Sequence, residues 1–62
     1  MNTFNVIKKA QAELNALLQL INLSDDEVMN IEIMIDNHAE SFDGSQSISE
    51  FVDMCRDMAK VA

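Results

Sequence analysis

The single cysteine, Cys55, and the single histidine, His38, are the first residues to weigh for chemistry. Together such a pair can act as nucleophile and general base, provided a third group orients the base. No residue stands out for that third role. Cys55 also falls on the apolar side of the helix that carries it, where a buried structural thiol is expected. His38 lies at the border of an apolar face, where a boundary role is the ordinary one. Carboxylates are plentiful, eleven against four Lys and Arg. Acid–base catalysis, however, needs two carboxylates in one pocket with their pKa values pushed apart, and a chain of 62 residues has little room for a pocket. The expectation is a non-enzyme with no catalytic residue, no cofactor and no metal.

One stretch invites a metal reading all the same. The run Asp43-Gly44-Ser45-Gln46-Ser47-Ile48-Ser49-Glu50 superficially resembles a calcium-binding EF-hand loop. With Gly44 at the sixth loop position, Glu50 does fall at the twelfth, but Ala39 falls at the first, where a carboxylate must ligate. The leading ligand is missing, and a capped helix–helix connection accounts for the same residues. One cysteine excludes an internal disulfide, and no Cys/His cluster is present to hold zinc.

The elements that carry these residues read as three helices, expected over about residues 3–22, 25–39 and 48–61. In the first, Phe4, Val6, Ile7, Ala10, Leu14, Leu17, Leu18 and Ile21 share one side of a helical wheel. Ile7, Ala10, Leu14, Leu17 and Ile21 also follow a heptad seam, with Thr3 or Asn2 as the cap. The second opens on the capping box Ser24-Asp25-Asp26-Glu27, whose acids suit the positive end of the helix dipole. Within it Ile31-Glu32-Ile33-Met34-Ile35 alternates like a strand. The capping box and the absence of a partner strand favour helix. The third follows a polar loop holding the only glycine and opens on a second capping box, Ser47-Ile48-Ser49-Glu50. Ile48, Phe51, Val52, Met54, Cys55, Met58 and Ala59 form its apolar half. The architecture expected is an all-α, small three-helix bundle forming a single acidic domain over residues 1–62. The predicted core is Ile7, Leu14, Leu17, Ile21, Val28, Ile31, Ile35, Phe51, Cys55 and Met58.

The second helix carries an oddity. Its main stripe is Val28, Ile31, Ile35 and Ala39, with Met34 and His38 at the border, yet Met29 and Ile33 lie on the opposite side. Around them stand Asp25, Glu32, Asp36 and Glu40. Either the middle helix buries both stripes against its two neighbours, or Met29 and Ile33 form an apolar anchor with an acidic rim, a pattern typical of protein–protein hot spots. Methionine in general suits adaptable binding surfaces as well as core filling.

Charge narrows the partners. Lys8 and Lys9 against Glu13 leave residues 1–23 at +1, whereas ten carboxylates against Arg56 and Lys60 leave residues 24–62 at −8. Nucleic-acid affinity rests on cations that neutralise phosphates, so direct DNA or RNA binding is not expected. No apolar run approaches the roughly 18 residues needed to span a bilayer. The N-terminal residues lack the pattern of a signal peptide, and with a lone cysteine they point to the cytoplasm. A core of this size rarely supplies more than about 3–5 kcal/mol, which favours a homodimer or other homo-oligomer. The function expected is a protein–protein interaction module, a small adaptor, inhibitor or regulatory protein of the kind carried by phages and mobile elements, acting on a protein partner with a basic surface. The alternatives are a nucleic-acid mimic that fills the basic groove of a DNA- or RNA-handling protein, and a structural subunit of a larger assembly.

Overall fold

Asn2 sets the start of the first helix: its side-chain oxygen accepts from the Phe4 amide at 2.8 Å, satisfying one of the free N–H groups of the first turn. In the computed structural model, which describes residues 2–61, helix α1 spans Thr3–Leu18, α2 spans Asp25–His38 and α3 spans Ile48–Val61. A single 3-10 turn, Ala39–Ser41, extends α2. The described residues contain no strand, and Ile31–Ile35 is helical within α2. The chain is a three-helix bundle. None of its helices is long and apolar enough to cross a membrane.

Both serine boxes form as the sequence predicts. Ser24 Oγ accepts from the Glu27 amide at 3.2 Å while Glu27 accepts from the Ser24 amide at 3.3 Å. Ser47 and Glu50 repeat the exchange at 3.1 and 3.0 Å. Leu23 and Val28, the residues just outside and four places inside the α2 start, both pack on the core, the positions of a hydrophobic staple. Between α2 and α3, Asp43 accepts from the Ser45 amide at 2.9 Å, and Gly44 takes a left-handed φ of 83° that L side chains rarely adopt. Phe42 then sets its ring edge-on to Phe51, centroids 5.3 Å apart, which ties the loop to α3.

The first helix departs from expectation at its end. It stops at Leu18, and the Gln19 and Leu20 amides turn back to the Ala16 and Leu17 carbonyls in a tightened final turn. Downstream, the connection folds Leu23 onto the core and sets Ser24 extended to cap α2, at φ −70° and ψ 160°. Ile21 therefore falls in the connection, half-buried, instead of ending a heptad seam. The buried line of α1 is Val6, Ala10 and Leu14, with Ile7 and Leu17 packed beside it and Phe4 exposed. The core joins that line to Ile31, Ile35 and Ala39 and to Phe51, Val52 and Cys55. Val28 and Met58, expected at the centre, pack on its margin.

Removing either capping serine (Ser24→Ala or Ser47→Ala) should cost about 1 kcal/mol in denaturant unfolding, because an N-terminal amide loses its acceptor. Leu14→Ala, at a residue 2% exposed, should cost roughly 2–5 kcal/mol and leave the protein largely unfolded, with Leu17→Ala distinctly milder. The Glu50 carboxyl is held below its ordinary 4.5 by the Ser47 amide and then the Ser47 hydroxyl. A group with a lowered folded pKa stabilises the fold above its ordinary value and loses that contribution as pH falls through the folded one. Melting temperature should accordingly fall on acidification below about 4.5, less steeply in Glu50→Gln.

Candidate functional site

Cys55 is fully enclosed in the core with Ile35 and Phe51. Desolvation pushes its thiol up from 9.0 to about 11, the opposite of what a nucleophile needs. His38 is half-buried in the last turn of α2. Every side-chain carboxylate from Asp25 to Asp57 is exposed. The loop acids have local duties: Asp43 closes the turn and Glu50 caps α3. Among the described residues no three His, Cys, Asp or Glu side chains stand where they could hold a metal ion together.

Met29 and Ile33 form an exposed apolar pair one turn apart on α2. They are 57% and 47% exposed, so α2 does not bury them against its neighbours. Ile31 and Ile35, on the far side of the helix, have almost no exposure. Asp25 lies one turn before Met29, Glu32 three residues after it, and Asp36 three residues after Ile33, which places all three beside the pair on the helix surface. Glu40 lies in the 3-10 turn, off the α-helical register that links the other three. All four carboxylates are exposed.

A second feature is legible only in the fold. Where the start of α2 passes the end of α3, Leu23, Glu27, Asn30, Ile31, Arg56, Ala59 and Lys60 line a cleft of about 90 Å³. Its floor is apolar, from Leu23, Ile31 and Ala59, and its wall on the α3 side is cationic. Glu27 is drawn back toward the Ser24 amide by the capping box. The Arg56 side chain is 25% exposed, and its contact with Asp53 at 3.8 Å is too long for a hydrogen bond. No sequence signal pairs Leu23 with Ala59, because the antiparallel passage of α2 and α3 creates the recess. Elsewhere Phe4 is 65% exposed, with the Lys8 ammonium 5.3 Å from its ring centre.

What the fold and surface define is a class, a small acidic three-helix bundle whose described residues include an exposed apolar pair on α2 and a cleft bordered by Arg56 and Lys60. Comparisons with protein-family models, curated proteins and solved structures gave no match to this chain.

If Cys55 is enclosed as described, a thiol-modifying reagent at pH near 8 should label native protein far more slowly than urea-unfolded protein. Equal rates would place the thiol at the surface.

Proposed function

We propose that this chain is a non-enzymatic protein-interaction module that docks through the Met29–Ile33 patch of α2. The observation that carries the reading is the exposure of these two large apolar side chains, one turn apart, on the face opposite the core. Keeping them in water forgoes the stabilisation their burial would give, about 25 cal/mol per Å² of apolar surface. An apolar anchor inside a polar rim is the arrangement in which a few central residues dominate binding.

The rim specifies the partner. Asp25, Glu32 and Asp36, with Glu40 beyond them, call for an apolar pocket bordered by Lys or Arg. Two copies meeting patch to patch would set carboxylate against carboxylate, so the patch seeks a surface of opposite sign. The lone buried thiol of Cys55 suits a reducing compartment and supports reading the module as cytoplasmic. A second reading, a nucleic-acid mimic lodged in a basic groove, draws on the full exposure of the carboxylates from residue 24 onward.

Capture from a cell lysate by the parent and by Ile33→Asp, at low and high salt, separates the two. Because Ile33 is exposed, the substitution should alter stability by no more than about 0.5 kcal/mol and leave the helical spectrum unchanged. Docking by the apolar anchor predicts proteins that stay bound at high salt and are lost with Ile33→Asp. A mimic predicts the reverse, since exposed charge pairs are screened by salt. Salt-resistant capture that Ile33→Asp leaves intact would remove the patch as the site.

A further inference from the structure

The only two cations of residues 24–62, Arg56 and Lys60, both stand at the one cleft between α2 and α3. Cations late in α3 suit its dipole, and here they also border an apolar recess. Arg56 is three-quarters withdrawn from solvent, and among the described residues its ion pair is with Asp53 at 3.8 Å, longer than a hydrogen bond. A partly desolvated guanidinium over an apolar floor binds strongly when a carboxylate completes it. The cleft thus asks for an apolar side chain accompanied by carboxylates, and the chain itself carries that combination in Ile33 with Glu32 and Asp36.

We infer that the cleft receives a second copy of this chain: Ile33 of one copy enters the recess over Leu23, Ile31 and Ala59 of the other, with Glu32 and Asp36 facing Arg56 and Lys60. The inference rests on the reading of the Met29–Ile33 patch as a docking surface and names its partner. The topology permits the exchange to be mutual. Glu27 and Asn30 line the cleft from one flank of α2, while Met29 and Ile33 project from the adjoining outer side. Two α2 helices laid antiparallel about a two-fold axis bring each patch to the other's cleft, a self-complementary contact. This arrangement sets the patch carboxylates against a cleft whose lining holds two cations, Arg56 and Lys60, to one carboxylate, Glu27, where a patch-to-patch dimer would set carboxylates against carboxylates alone. Area argues the same way. A standard interface takes about 800 Å² from each partner, roughly a fifth of the 4182 Å² exposed here, so neither patch nor cleft suffices alone and the two must be used together.

Charge reversal with complementation tests it, read as mass in solution by light scattering with helix content followed in parallel. The parent should have the mass of a dimer at high micromolar concentration. Glu32→Lys with Asp36→Lys gives a basic patch facing a basic cleft, and Arg56→Glu with Lys60→Glu gives acidic facing acidic. Each alone should weaken association by roughly 100-fold or more, the scale of like-charge juxtaposition at an interface, and appear monomeric. An equal mixture pairs opposite signs at both contacts and should return to the dimer mass. Should Arg56→Glu with Lys60→Glu lose helix content, the acidic arm is read with Lys60→Glu alone, at an exposed residue. A parent that stays monomeric up to millimolar concentration, reversed variants that dimerise alone, or a helical mixture that stays monomeric overturns the inference. If the parent is monomeric while capture of other proteins still depends on Ile33, the docking surface stands and only the second copy falls. Insensitivity of both to Ile33→Asp removes the docking surface itself.

Discussion

The apolar face of α3 is what the other two helices share. Phe51, Val52 and Cys55 are fully buried, and against them close Val6, Ala10 and Leu14 of α1 and Ile31, Ile35 and Ala39 of α2. No polar or charged side chain is buried among them. The core is therefore held by burial and close packing alone, forces with little directional preference. Direction comes from the ends. The two capping boxes determine where α2 and α3 begin, the Asn2 cap does the same for α1, and the edge-on pair of Phe42 and Phe51 holds the second connection down on the core.

So small a core has consequences for the surface. Once α2 has presented Ile31 and Ile35 to its neighbours, nothing in a three-helix bundle remains to cover its opposite side. Among the described residues no other element reaches Met29 and Ile33, and the carboxylates beside them keep that exposure compatible with solubility. Burial also settles the reactive residues. The site that removes Cys55 from water raises its thiol pKa, and the turns and caps of the second connection occupy Asp43 and Glu50. Cys55, Asp43 and Glu50 thus each have a structural duty.

The patch and the cleft complement one another in sign, and they arise from one feature, a helix that is acidic outside and runs antiparallel to a helix ending in Arg56 and Lys60. Cations at the end of α3 suit the helix dipole in any case. Their second effect depends on what passes beside them. Because the start of α2 does, with Leu23 folded in beneath it, those cations border an apolar recess instead of open solvent.

Helix number, the positions of both serine caps and the helical state of Ile31–Ile35 were all legible in the residues. Each rests on interactions within a few positions along the chain: a hydroxyl reaching an amide three residues on, or apolar side chains returning with the helical period. The placement of Met29 and Ile33 opposite the main stripe of α2 was legible for the same reason. Whether they were buried was not, since that depends on which sides of α2 its neighbours occupy. The end of α1 is not legible, because the apolar period runs on through Ile21 while the fold ends the helix at Leu18 and turns Leu23 onto the core. Leu17 likewise sits on the right side of its helix but at the margin of the core, since depth of burial is set by the partner helix and not by the wheel. The cleft of Leu23, Ile31, Ala59, Arg56 and Lys60 had no sequence signature at all. Its two walls are far apart along the chain and meet only because α3 folds back on α2 to bury Phe51 and Cys55.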